Sequence, residues 1–214
     1  VALAAKDVVL KVSGAANAVT DEAMSSLGGG RYQVTSTSRR RWDPTAAITI
    51  EDGGTPVSAT LYTFDYCFGI VTFSGYTPSG AVTVTGSYFT MLALPEARAY
   101  SIKVSAALAD KTTFDSSGWR QFGQLLLQGE GDFEILANPL DDLDTGTGGT
   151  QSLVSYLTGA TAKMLEVNRG GNYFVAFVLF ESLDDKASLE DLLTTSMMWM
   201  LSAQGRGAAA SFGT

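Results

Sequence analysis

Polar and apolar residues alternate with a period of two along most of this chain, and the alternating or β-branched runs are bounded by Gly, Pro, Asn or Asp. Successive side chains of a strand point to opposite faces, so this period predicts β-strands. Eleven runs qualify: 7–13, 32–37, 47–51, 59–64, 69–74, 81–90, 98–108, 119–136, 162–167, 173–181 and 192–202. Many short strands without alternating helices predict an all-β fold, a β-sandwich or partial barrel of two packed antiparallel sheets. Asp52, Gly53 and Gly54 mark one tight turn, and Thr77, Pro78, Ser79 and Gly80 mark another.

One run breaks the alternation. Residues 173–180 are apolar at every position, the pattern of a central strand between two packed layers. Met197, Met198, Trp199 and Met200 read as core or interface, where methionine adapts to irregular contacts. A 3.6-residue period occurs at Leu153, Val154, Tyr156 and Leu157; with Thr150 as cap and Gly159 as stop it predicts one short flanking α-helix. Weaker first-turn patterns at Thr20, Asp21 and Glu22 and at 182–193 leave helix and loop both open. The Gly- and Asp-rich segment 138–150 reads as a solvated loop. The domain division is then a single β-sandwich domain over 1–204 and a C-terminal arm over 205–214.

The most informative alternation lies in 128–135. Gln128, Glu130, Asp132 and Glu134 fall on one face, about 7 Å apart along a strand. Gly129, Gly131, Phe133 and Ile135 fall on the other, where the glycines let a ring or another backbone approach closely. Like charges in a row repel, so the acidic face must look into water. It is either the solvent face of an outer strand or the wall of a negatively charged channel.

Composition narrows the chemistry. The 214 residues carry 17% charged and 45% hydrophobic side chains, an imbalance toward buried surface that points to oligomeric interfaces. Histidine is absent, which removes Ser-His-Asp, Cys-His and histidine-ligated metal chemistry. The lone Cys67 excludes an internal disulfide framework. The longest apolar run has eight residues, far short of the roughly 20 that span a bilayer, and nothing at Val1 to Lys6 marks the chain for secretion. The expectation is a non-enzymatic protein with no cofactor and no membrane partner.

The net charge of -8 is unevenly placed: residues 1–103 hold eight basic and eight acidic side chains, residues 104–214 six and fourteen. Attraction to nucleic acid is thereby disfavoured. Asp141, Asp142 and Asp144 offer hard oxygen ligands, yet counting twelve from Asp142 reaches Leu153 where a calcium loop needs Glu. Arg39, Arg40 and Arg41 before Trp42 form the one basic run. It could stack on bases, salt-bridge on the surface, or pair with Asp141, Asp142 and Asp144 of another subunit.

Several segments in order, 3–11, 48–54, then Tyr62, Asp65, Tyr66 and 69–73, followed by a long strand, a short helix and a closing strand pair, resemble the major tail tube proteins of long, flexible-tailed (siphovirus-type) bacteriophages, notably those of actinobacterial hosts. The resemblance is carried by the order of segments, because this family has no catalytic signature. It implies a β-sandwich with a flanking helix, and a structural virion protein that forms stacked hexameric rings. The lumen of such a tube holds tape-measure protein and later conducts DNA. The implied partners are further copies of the chain, tape-measure protein, tail terminator and distal tail proteins, and DNA in transit without specific binding. The implied location is the virion tail, after assembly in the host cytoplasm. On this reading Gln128, Glu130, Asp132 and Glu134 line the lumen, and the Arg39–Arg41 run meets the acidic segment between subunits. The alternative function is a secreted or surface β-sandwich carbohydrate-binding module, calcium dependent through its carboxylates.

Overall fold

The computed structural model describes residues 8–94, 97–110, 122–135, 142–144, 150–152, 157, 161–186, 194–202 and 210–213. Fifteen strands run through them: β1 (Val8–Gly28), β2 (Arg31–Val34), β3 (Thr49–Asp52), β4 (Thr55–Pro56), β5 (Tyr62–Asp65), β6 (Ile70–Phe73), β7 (Val82–Ala93) and β8 (Ala97–Asp110) in the first half. β9 (Phe122–Ile135), β10 (Asp142–Asp144), β11 (Thr150–Ser152), β12 (Lys163–Arg169), β13 (Asn172–Lys186), β14 (Thr194–Leu201) and β15 (Ala210–Gly213) follow. Each of the eleven alternating runs holds a strand, and every pairing is antiparallel.

The main sheet has the order β4-β3-β7-β1-β12-β13-β14-β9-β8. A smaller ladder, β2-β6-β5, joins it through β1, whose first residues pair with β12 and whose last pair with β2. Two apolar cores result, one on each face of the central strands. On one face Leu165, Val167, Phe174, Ala176 and Val178 pack with Leu10, Val12 and Leu92 and with Phe133, Ile135, Met197 and Trp199. All of these come from the main sheet, which wraps round its own side chains as a partial barrel. On the other face Met164, Val175 and Phe177 pack with Val34, Val71 and Phe73 of the smaller ladder and with Trp42. Residues 174–178 are buried without exception, as a strand between two layers must be.

β12 and β13 meet in a two-residue hairpin in which Gly170 and Gly171 have φ of 63° and 95°. Two successive positive φ values are the turn that matches strand twist, and glycine reaches them without a Cβ clash. A bulge between Phe180 and Ser182 then shifts the register of β13 on β14. The bulge keeps Leu183 packed on the first core and places Ser182 and Asp184 opposite Met198 and Ser196.

Several expectations change. β1 runs on to Gly28, through Thr20, Asp21 and Glu22, where helix or loop was expected. It does so with two bulges against β7, and Asp21 takes a φ of 54° with its N–H donating to Thr85 Oγ1 at 3.0 Å. Pairing along β7 overrides the weak strand propensity of Gly14, Ala15, Ala16, Asn17 and Ala18. Thr150 caps no helix: with Gln151 and Ser152 it forms β11, paired with β10 in the register Asp142↔Ser152 and Asp144↔Thr150. Leu157 is helical and packs on the first core, while the rest of the expected helix lies outside the described residues. The segment 138–150, read as loop, therefore holds strand at Asp142–Asp144 and at Thr150. Residues 182–186 belong to β13; 187–193 lie outside the described residues. The last residues of the expected arm return as β15, pairing with Tyr173–Ala176 of the same chain.

The two predicted turns are tied together by one side chain. Asp52 is buried and accepts hydrogen bonds from Tyr76 Oη at 2.8 Å, Ser79 N at 2.9 Å and Gly80 N at 2.6 Å. The backbone bonds from Ser79, then the Tyr76 hydroxyl and Gly80, hold its carboxyl below the usual carboxylate range. Its folded value being the lower one, its contribution is complete above the unfolded value of about 3.9 and is lost as pH falls through the depressed value. Asp52→Asn should therefore lower Tm at neutral pH and lose that difference toward acid, as thermal unfolding monitored across pH 2–7 would show. Glycine is required at a second place: a Cβ on Gly131 would overlap both the Trp199 ring and the Ser101 carbonyl. Gly131→Ala should cost about 1–3 kcal/mol, the range for overpacking, read from urea unfolding by tryptophan fluorescence; unchanged stability would show that β9 shifts freely.

Candidate functional site

The acidic strand is β9, and its two faces divide as the alternation requires. Gly129, Gly131, Phe133 and Ile135 are buried, Gln128 and Glu130 are exposed, and Asp132 and Glu134 are half-buried. Glycine at 129 and 131 admits Leu201 and the Trp199 ring from β14. Cross-strand neighbours of an antiparallel pair share a face, so the register defines the surface around the acids. On the β8 side Ser101 stands opposite Asp132, Lys103 opposite Glu130 and Ser105 opposite Gln128. On the β14 side Met200 stands opposite Glu130, Met198 opposite Asp132 and Ser196 opposite Glu134.

Glu130 and Asp132 have partners on β8. Lys103 Nζ donates to Glu130 Oε1 at 2.7 Å, and the Ser101 hydroxyl donates to Asp132 Oδ1. The Glu130 contact raises the pKa of Lys103, so the lysine is charged throughout the physiological range. Both partners of that ion pair are well exposed, which makes it a weak stabiliser but an effective local neutraliser. Glu130 thus faces an ammonium and Asp132 a neutral hydroxyl. Beside it, Met198 and Met200 are 51% and 45% exposed and Leu179 is 39% exposed, an apolar stripe flanking the acidic row.

The smaller ladder covers this same sheet face only where Met164, Val175 and Phe177 lie. Beyond Leu179, no ladder among the described residues covers the face over β14, β9 and β8. β8 is the last strand of the main sheet, with β9 on one side and no ladder on its outer edge among the described residues.

The arginine run is used inside the chain. Arg39 donates to Glu22 Oε2 and lies over the Tyr88 ring at 5.5 Å, contacts whose hydrogen bond raises its pKa. Arg40 Nε donates to the Val34 carbonyl at 3.0 Å. Arg41 is buried, with Nε and Nη2 each 2.6 Å from Glu166 Oε2 and Nη1 donating to the Cys67 carbonyl at 2.9 Å. The Phe68 and Tyr173 rings flank its guanidinium at 5.1 and 5.6 Å. Lys11 Nζ reaches the other oxygen of Glu166 at 3.4 Å. Trp42, fully buried against Phe64, and Arg41, nearly so, present no face for a base to stack on. Salt bridging within the chain is what Arg39 and Arg41 do. Asp141 lies outside the described residues, and of Asp142 and Asp144 the backbone alone is described, in β10.

Glu166 and Lys11 were not singled out from the sequence. Glu166 sits within β12 (Lys163–Arg169), flanked by Leu165 and Val167. A carboxylate in so apolar a strand is the one signal that could have marked it, since burying a charge demands a partner. Nucleophilic chemistry finds no support at Cys67, whose thiol burial, reinforced by Asp65, pushes up to about 12. Removing one partner of a buried pair leaves the other charge uncompensated, at about 3–5 kcal/mol. Arg41→Met should accordingly lose most of that in urea unfolding, whereas Arg41→Met combined with Glu166→Met should recover a large part of it.

No family model matches the sequence, and no curated protein does. Among solved structures the chain is similar to one described as the tail of an empty gene transfer agent (GTA) particle computed with helical refinement in C6 symmetry, with 15% identity and a TM-score of 0.45, covering 58% of this chain and 87% of that one. It is also similar to a chain from the virion of a native gene transfer agent particle, with 15% identity and a TM-score of 0.44, covering 59% of this chain and 89% of that one.

Proposed function

We propose that this chain is a structural virion protein, the tube subunit of a long-tailed phage tail, which closes into hexameric rings that stack around tape-measure protein and later conduct DNA. The observation that carries the reading is the open half of the main sheet, where a strand edge and a row of carboxylates occur together. An edge of fourteen residues in β8 is a ready template for pairing with another chain. Ring closure through that edge removes the liability and extends the sheet from subunit to subunit. The extended sheet keeps its apolar face inward on each subunit's core, and the face with Gln128, Glu130, Asp132 and Glu134 then lines a common surface.

The function on this reading is geometric and electrostatic, with no catalysis and no cofactor. Duplex DNA carries one negative charge per about 1.7 Å of axis, so a basic wall would release counterions and bind it. A wall built on a row of carboxylates gives no such attraction. Its repulsion is short-ranged, because at physiological salt the Debye length is about 8 Å. DNA therefore meets a non-adhesive layer rather than a barrier. The β10–β11 hairpin, which lies off the main sheet's path, is left to make contacts between rings and with terminator and distal tail proteins.

Electron microscopy of purified protein over a range of concentrations tests the assembly: rings or tubes are expected, and a monodisperse monomer at high concentration would sink the reading. The wall is tested separately with Glu130→Lys, Asp132→Lys and Glu134→Lys in one chain. Such subunits should still form tubes, yet the tubes should retain duplex DNA in a salt-sensitive manner where wild-type tubes do not. DNA decorating the outside of the tubes would place the acidic face on the exterior instead.

A further inference from the structure

A second charged site is built into this chain, away from the acidic face. Segment 37–41, β1, β7 and the β12–β13 pair enclose a cleft of about 500 Å³, within the size range of sites that take up a small ligand or a few residues. Its floor is the buried Arg41–Glu166 pair, walled by Phe68 and Tyr173. Lys11 and Arg40 complete the lining, so three cations meet a single carboxylate in a chain whose net charge is -8. Glu166 is already saturated, by Arg41 on one oxygen and Lys11 on the other. Arg40 has one hydrogen bond among the described residues, from Nε to the Val34 carbonyl, which leaves the outer fork of its guanidinium for a further acceptor. Partial burial and the adjacent Arg41 both lower its pKa, and an incoming carboxylate would relieve that neighbouring charge.

The same sequence contains the complement. From Gln121 to Ala162 there are six carboxylates and not one lysine or arginine. Three of the six belong to the β9 row. Of the others, Asp142 and Asp144 lie on β10, which among the described residues pairs with β11 as a two-stranded ladder off the main sheet. An arginine fork binds a carboxylate through two parallel charge-assisted bonds, and partial burial spares such a contact from full screening.

We propose that the cleft receives the acidic β10–β11 hairpin of a second copy of the chain, with Asp142 and Asp144 binding Arg40 and Lys11; this rests on the tube reading and names the contact that joins its subunits. Arg41 acts as a positioning residue that holds the cleft open through Glu166 and Cys67. Within one chain β10 already runs beside β7, so the test must separate contact between chains from contact within one.

Two variants do so. The first has a reversed cleft, Lys11→Gln with Arg40→Glu. The second has a reversed hairpin, Asp142→Lys with Asp144→Lys. Each alone should raise the critical concentration for assembly at least tenfold by sedimentation, with folding checked by circular dichroism. An equimolar mixture should restore it, because alternating subunits put Lys against Glu and Asp against Arg at every contact. A chain carrying all four changes should also assemble. Restoration in the fourfold chain without restoration in the mixture would mean contact within one chain and would overturn the proposal. So would indifference of both variants while wild-type tubes form. Wild-type protein that never assembles would overturn the tube reading, and this contact with it. If the reversed cleft does not fold, Ser38→Glu at the exposed mouth of the cleft replaces it in the same mixing experiment, with the same two outcomes.

Discussion

The structure depends on one strand being buried on both faces. β13 runs between two cores from Phe174 to Val178, and each fully buried Phe or Val contributes about 1.5–3 kcal/mol through burial. That double burial cannot be met by a single sheet with one wet side. It requires the main sheet to wrap on one face and a second ladder to cover the other. The second ladder is short, four residues in each of β2, β5 and β6, so it covers only the part of the sheet nearest β1 and β12. Past Leu179 no ladder among the described residues covers that face, and Gln128, Glu130, Met198 and Met200 are exposed there. The acidic row occupies that remainder: its position follows from where the covering layer stops.

Period-two alternation made the strands legible because each was written in its own residues. The alternation in 128–135 was legible for the same reason, down to the glycines: Gly131 stands where the Trp199 ring approaches, and the face reserved for a close neighbour has one. What escaped was written elsewhere in the chain. The second half of β1 has Gly14, Ala15 and Ala16, which carry little strand preference, and it is extended because β7 supplies the hydrogen-bond partners. Thr150 to Ser152 have the caps and spacing of a helix start, and a three-residue pairing with Asp142–Asp144 outweighs them. β15 pairs with β13 through a bridge of some forty residues of sequence separation, which no local pattern encodes.

The arginine run shows the same limit at a finer grain. Three consecutive arginines read as one patch, and the fold gives them three separate roles. Arg39 turns outward to Glu22 and Tyr88, Arg40 lies in the cleft, and Arg41 is buried on Glu166, 125 residues away. A buried ion pair contributes little net stability against an apolar alternative, but breaking it is costly. Its consequence here is registration. Segment 37–42 crosses the middle of β7, where Trp42 bridges Tyr88 and the Arg41 carbonyl accepts from Phe89 N at 2.6 Å. Glu166 fixes that crossing against β12, so the loop carrying Arg40 has one position rather than several.

Charge is thus sorted by burial into different uses. Among the described residues, Glu166 is the carboxylate that is buried against cations and serves the fold. Asp52, buried on hydroxyl and amide donors, ties two turns together. The carboxylates of β9 are spent on neither. Lys103 neutralises one of them, and the serine opposite Asp132 satisfies a carboxylate without cancelling its charge. Had the sequence needed only a soluble outer strand, pairing each acid with a lysine across β8 would have been the more stable arrangement, because opposite charges facing each other on a sheet are mutually favourable. Ser101 and Ser105 keep the face negative at those places, while Met198 and Met200 on the other flank add no cation. Charge pairing at Glu130 and neutral hydrogen bonding at Asp132 therefore stand side by side on one face, and the proposed lumen wall rests on the second kind of contact.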